Sequence, residues 1–205
     1  HIQVNPRTSL TFAHGLRSIL RQDPNIIMVG EIRDGETASI AINTALTGHL
    51  LLSTLYTNDA PTTLPRLMDM GIDTYLLAST ISLAIGQRLV RVLCPHCKQE
   101  VPTQELEYAH LVQRYSDSHT LIPQQSYIPV GCEVCDFTGY QGRIGIYETL
   151  VMSQAIRDAI LRRASSSAIR TIGEHEGMTP LYKDGLRKVS LGITSMAEIL
   201  RTIHE

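Results

Sequence analysis

Ile26-Ile27-Met28-Val29-Gly30-Glu31-Ile32-Arg33-Asp34 is the stretch on which the fold turns. Its first five residues are an apolar run of buried-strand length, and the run ends in charged residues. Upstream, Phe12, Leu16, Ile19 and Leu20 recur at helical spacing until Pro24 stops the pattern. Downstream, Asp34 is suited to cap a helix reaching about Leu46, with Gly48 as its terminator. Leu50 to Leu55 reads as a second buried strand. Asn58-Asp59-Ala60-Pro61 opens a helix to about Met70, and Asp73 opens another to about Ile85. Gln87 to Leu93 then returns to an extended pattern. Short apolar strands separated by helices of this kind predict an α/β fold, a parallel sheet covered on both faces.

Residues 94–140 differ in character. A helix is expected over Glu105–Tyr115, followed by a polar loop containing Pro and Gln, with cysteine pairs on either side. Arg143 to Val151 reads as a strand again. Four helices follow, around 153–162, 165–175, 180–190 and 195–204, the last capped by Ser195.

The whole chain has 205 residues, 43% of them hydrophobic and 19% charged, which suits a soluble globular protein rather than a disordered tail. A net charge of −2 offers no basic field for coating nucleic acid. No apolar stretch reaches the eighteen or so residues that a membrane span needs, and no signal peptide is recognisable. Beginning at His1 rather than Met, the chain is expected to be a fragment.

Four cysteines form two C-x-x-C pairs, Cys94/Cys97 and Cys132/Cys135, with thirty-four residues (98–131) between them. Without a secretory signal this pattern favours a closed, structural tetrahedral zinc site over disulfides, in a reducing compartment. His96, inside one knuckle, is not counted as a ligand.

Glu31 leaves a strand where open α/β sheets place their ligands. It is either an ordinary acidic residue at a strand end or a carboxylate that orders water against a terminal phosphate. His49, within Thr47-Gly48-His49, is either a boundary residue or part of the same chemistry. Arg17 and Arg21 are four apart and share a helical face, either as solvated charges or as phosphate clamps. The phosphate-cradling motif G-x-x-x-x-G-K-[ST] does not occur in these residues, so the chain alone is expected to bind ATP poorly.

Leu10 to Asp34 resembles, almost throughout, the Walker B region of the hexameric ATPases of type II secretion and type IV pilus assembly. Thr47 to Ala60 resembles the His box of that family, and Gln87 to Cys94 the lead into its tetracysteine module. Gly142 to Glu148 and Gly177 to Gly185 resemble its closing motifs, so the likeness runs through the whole chain. The resemblance implies the C-terminal part of a RecA-like ATPase core with an inserted four-cysteine zinc module and a helical C-terminal subdomain. Its expected boundaries are 1–93 for the rear of the core, 94–140 for the zinc module and 141–205 for the closing strand and helices.

By the same resemblance, Glu31 is the Walker B catalytic carboxylate and His49 the first His-box residue. Arg17, Arg21, Arg33, Arg66 and Arg143 fall where the family carries arginines near the nucleotide or the subunit boundary. Cys94, Cys97, Cys132 and Cys135 would hold structural Zn²⁺, while ATP and Mg²⁺ bind the full-length parent, whose Walker A lies outside these residues. The implied assembly is a homohexamer in the cytoplasm, at the cytoplasmic face of the bacterial inner membrane. It would drive a membrane platform protein in secretion or pilus extension and bind no nucleic acid. A degenerate, non-catalytic zinc-bearing scaffold or docking module of the same machinery is the alternative. One departure from the pattern is plain: Tyr56 occupies the place of the second His-box histidine.

Overall fold

A computed structural model of the chain describes residues 3–4, 10–103 and 125–204. The helix expected over Glu105–Tyr115 lies outside the described residues. Thr11 caps α1 (Phe12–Ile19) by accepting the His14 N–H at 3.2 Å. The chain then tightens into a 3₁₀ turn, Leu20–Gln22, that Asp23 ends at φ 50°. Arg17 therefore lies on the α-helix and Arg21 on the tighter turn, so the shared face expected of them is interrupted. Pro24 explains why the turn must end, since the residue before a proline is driven out of the helical region.

Within the first of two compact units, residues 1–84 and 150–178, β1 (Ile26–Ile32) and β2 (Leu50–Leu55) pair in parallel. The crossover is α2 (Gly35–Leu46), and its cap is the one expected: Asp34 accepts from Thr37 N–H at 2.8 Å. Gly35 is obligatory there, because a Cβ would lie 2.4 Å from the Met70 carbonyl oxygen. Asp59 holds the next turn by accepting from the Thr62 N–H at 2.8 Å. For that reason α3 (Thr63–Asp69) starts after the Asn58–Pro61 segment rather than within it. α4 (Thr74–Thr80) ends earlier than expected, because Ile81 is already extended and the strand after it begins at Leu83.

The register of the β1–β2 pair is the decisive detail. Val29 opposes Ser53 but Ile32 opposes Leu55, so β1 carries one extra residue at Gly30-Glu31, a β-bulge. Before the bulge, Ile27 and Val29 are buried; after it the phase shifts and Ile32 is buried in turn. The cover expected on both faces of this sheet is present on only one among the described residues, so β2 is largely exposed rather than buried. On the other, Ile26, Met28, Leu50 and Leu52 are 50–63% exposed. Residues apolar on both sides suit a sheet with two covering layers. The buried face packs into a core that includes Ala38, Leu64 and Leu77, together with Ile156 of α5 (Gln154–Leu161) and Ile169 of α6 (Ser166–His175).

The second unit comprises residues 85–149 and 179–205. There β3 (Leu83–Leu93) pairs with β6 (Tyr140–Val151), which starts three residues before the expected Arg143, and short β4 (Gln99–Pro102) runs antiparallel to β5 (Gln125–Ile128). Val90 and Ile146 pack with Tyr182, Leu186 and Val189 of α7 (Leu181–Ser190) and with Met196 and Ile199 of α8 (Met196–His204). Ser195 caps α8 as expected, accepting the Glu198 N–H at 3.2 Å.

Glu198 is the notable member of this core, with a side chain 0% exposed. Its oxygens accept from the Arg91 backbone N–H at 3.0 Å, from the Arg91 guanidinium at 2.6 and 2.9 Å, and from Arg201 at 2.8 and 3.1 Å. Arg91 in turn lies 4.0 Å above the Tyr140 ring. Burial works against the ionised form, but Arg201 and Arg91 outweigh it and hold the Glu198 carboxyl at about 2. No helix among the described residues is long and apolar enough to cross a membrane.

Candidate functional site

Glu31 sits on the bulge itself, at the carboxyl end of β1, half-buried at 19% side-chain exposure. A bulge bends its strand and re-aims one side chain, a device found beside many active sites. The carbonyl of Gly30, displaced from the ladder, is satisfied by the Thr54 hydroxyl at 2.7 Å. Thus β2 supplies the group that stabilises the irregularity in β1. Glycine in a strand interior was the available sequence signal for this bulge.

Arg33 turns back to Glu31, with Nε 2.8 Å from Oε2, and its guanidinium lies 5.7 Å from the centre of the Tyr56 ring. The Tyr56 phenol, and then the Glu31 carboxylate, push the Arg33 guanidinium above its ordinary range. Beside this group is a cavity of about 360 Å³ lined by Ile32, Arg33, Leu55, Tyr56, Arg66 and Met70. It lies at the carboxyl ends of β1 and β2, where parallel sheets offer ligand sites. Two cations and a phenol in one cavity suit an anionic ligand.

The other candidates are placed differently. His49 precedes β2, and its Nδ1 lies 3.0 Å from the Thr47 hydroxyl and 3.3 Å from the Thr44 carbonyl. Those contacts tie it to the end of α2. Four residues of β2 separate it from Thr54, and the five steps span roughly 16 Å at about 3.3 Å per residue. The fold does not bring His49 to Glu31. Arg17 pairs with Glu36 of α2 at 2.9 Å, both side chains well exposed. Arg21 is exposed on its turn, and Arg143 is exposed on β6 in the second unit. Asp59, one of the polar residues after β2, is committed to structure: one oxygen caps Thr62 and the other pairs with Arg170 at 2.8 Å.

The four cysteines form a cluster of their own. All four sulfurs lie within 4.8 Å of one another, and the shortest separations are 3.8 to 3.9 Å. A tetrahedron of thiolates at about 2.3 Å from a zinc ion has S···S edges of roughly 3.8 Å, so the donor set fits that metal. No pair is joined as a disulfide. β4 follows the first knuckle and β5 precedes the second; their pairing, Gln99 opposite Ile128, brings the two knuckles together. Gly131, Cys132 and Gly139 point backbone N–H groups at the Cys97 and Cys135 sulfurs, 3.2 to 3.3 Å away. Burial opposes the thiolate, yet at Cys135 the N–H groups of Cys132 and Gly139 prevail and lower the thiol to about 6. At Cys97 burial dominates and the thiol is pushed up. Gly139, at φ 74°, admits no side chain, since a Cβ would lie 2.4 Å from that of Pro129.

Comparison with known proteins gives a consistent result. Residues 1–201 match the family model described as type II/IV secretion system protein. The type IV pilus assembly ATPase TfpB of Acinetobacter baylyi is 46% identical over 202 residues, covering 98% of this chain and 34% of that protein. The type II secretion system protein E of Aeromonas hydrophila is 48% identical over 206 residues, 99% of this chain and 39% of that one. The chain therefore spans between a third and two-fifths of the length of these relatives. Among solved structures, the Legionella pneumophila ATPase DotB aligns at a TM-score of 0.60 and 26% identity, over 93% of this chain and 42% of that chain.

Proposed function

We propose, from the premise that this chain belongs to the type II/IV secretion system protein family, that it is the C-terminal part of a traffic ATPase. Its parent would couple ATP hydrolysis to type II secretion or type IV pilus extension, as a homohexamer acting on a platform protein at the cytoplasmic face of the inner membrane. The α/β fold would then be the rear of a RecA-like core, with residues 94–140 an inserted structural zinc module and 141–205 the closing strand and helices. One observation carries the reading: the β1 bulge sets Glu31 at the carboxyl end of a parallel strand, beside a cavity lined by Arg33, Tyr56 and Arg66.

ATP with Mg²⁺, bound largely by parts of the parent outside these residues, would supply the electrophilic γ-phosphoryl group. Glu31 would orient the attacking water and accept its proton at Oε1, because Oε2 is held by Arg33. That ion pair fixes the side chain, which is the positional precision that water activation needs. Arg66 and Arg33 would meet negative charge entering the cavity. His49, anchored to the end of α2, would act by holding the α2–β2 turn. Arg17, Arg21 and Arg143 would lie, by resemblance, near the nucleotide or the subunit boundary. Cys94, Cys97, Cys132 and Cys135 would hold Zn²⁺ as a closed structural site.

A second reading, a non-catalytic zinc-bearing scaffold of the same machinery, is favoured by Tyr56, which replaces the two ring nitrogens of an imidazole with a single phenol oxygen. The discriminating experiment is phosphate release and ATP-analogue binding by the full-length parent and its Glu31→Gln variant. On the motor reading, the variant keeps nucleotide binding and loses about 10²-fold or more of its turnover. A parent that does not hydrolyse ATP supports the scaffold, and a variant of unchanged turnover removes Glu31 from the chemistry.

A further inference from the structure

We propose that the second cysteine knuckle, residues 128–137, is a docking surface for a basic, apolar polypeptide segment of another protein. This inference is independent of the ATPase reading. Four apolar side chains stand out of this short loop: Ile128 at 41% exposure, Val130 at 59%, Val134 at 55% and Phe137 at 72%. Isolated exposed apolar residues are ordinary, but several on one loop mark an interaction site. Phe137 adds a second oddity. Its φ is 58°, next to Asp136 at 51°. Aspartate tolerates the left-handed region through its short polar side chain, whereas a bulky aromatic there is a true outlier. Neither burial nor backbone preference accounts for phenylalanine at this position.

The loop is held in that conformation from several directions. The Phe137 N–H donates to the Cys132 carbonyl at 2.9 Å, and the Thr138 N–H and hydroxyl donate to the Cys135 carbonyl at 3.1 and 2.6 Å. A Cβ on Gly131 would lie 2.6 Å from the Phe137 carbonyl oxygen, so the loop closes on bare backbone. Cys132 and Cys135, inside the loop, belong to the four-cysteine cluster and tie its middle to the first knuckle. Strain maintained by such over-determination at a presented aromatic is the pattern of a functional site, and aromatic anchors dominate binding energy at interfaces.

Charge selects the occupant. Glu133 and Asp136 are exposed, and residues 128–137 contain no Lys or Arg. An acidic rim around an apolar anchor complements a segment that offers Lys or Arg beside an apolar pocket. The same acidity repels an anionic lipid surface.

The test places photo-reactive benzoylphenylalanine at Val134 of the full-length protein in its native cell, irradiates, and maps the adduct by mass spectrometry. An adduct with a Lys/Arg-bearing segment of a different protein is expected. Phe137→Gly should cut its yield by about tenfold or more, while zinc content is retained and Tm is unchanged or raised because the backbone strain is relieved. Glu133→Lys with Asp136→Lys should cut it similarly, and reversing the mapped Lys/Arg residues to Glu should restore it. Adducts confined to lipid or to a second copy of this chain overturn the proposal. So does a yield indifferent to Phe137→Gly or to charge reversal.

Discussion

Glu31 and Glu198 are both carboxylates gripped by arginine, and their surroundings are opposite. Glu31 meets one guanidinium, that of Arg33, which is itself 65% exposed, at the rim of a cavity. Glu198 is 0% exposed and is engaged by two guanidinium groups and a backbone N–H. With Arg33 exposed the pair is partly screened and adds about 1 kcal/mol or less, and it engages only Oε2 of Glu31, which leaves Oε1 for other partners. The buried arrangement is strongly destabilised when one member is removed. One carboxylate is open to chemistry, and the other locks β3 to α8.

The sharpest way to break the contrast lies in the second unit. Cys97→Ser should lose the metal and unfold the knuckles, because structural zinc binding is worth about 10 kcal/mol or more and is inseparable from local folding. Metal analysis after gel filtration checks this; a full equivalent of zinc in the variant would refute the four-cysteine site. Glu198→Gln comes next, with a loss on the order of 2 to 3 kcal/mol read from denaturant midpoints at pH 7. The pH dependence follows from the same residue. Its carboxyl lies at about 2 in the folded state, below an unfolded value near 4.3. The contribution is therefore complete above about pH 5 and is lost as pH falls towards 2. Wild type and Glu198→Gln should converge in stability across that window, and parallel curves would contradict the assignment. Glu31→Gln, by contrast, should shift stability by less than about 0.5 kcal/mol whatever it does to turnover. Smallest of all is Tyr56→His in the parent. Its Arg33 contact is at the surface, so stability should hold while turnover changes; an unchanged rate would show that the phenol substitutes fully for imidazole.

What could be read in advance follows the range of the interactions. The Asp34 and Ser195 caps, the two apolar strands and the cysteine spacing are local patterns, and each appears where expected. The bulge at Gly30-Glu31 was hinted at by one glycine, but its register depends on pairing with β2. Glu198 looked like any polar helix residue, since its partner Arg91 is 107 positions away. The β4–β5 pair was equally hidden, because Gln99-Glu100-Val101-Pro102 carries no strand signal and gains its order from Gln125–Ile128. His49 and Glu31 were grouped by family resemblance although they lie in two different motifs, and resemblance alone does not give the distance between the two side chains.

The division of the chain into units has a consequence for how it is made. Residues 1–84 wait for 150–178 before their core is complete, and residues 85–149 wait for 179–205. Val90 and Ile146, in particular, find Val189 and Ile199 only after the chain between them has been made. A ribosome delivers residues at about 5 to 20 per second, so the early cores stay unsealed for several seconds and folding cannot proceed unit by unit in step with translation. The late arrival of α7 and α8 is then the event that commits the second unit.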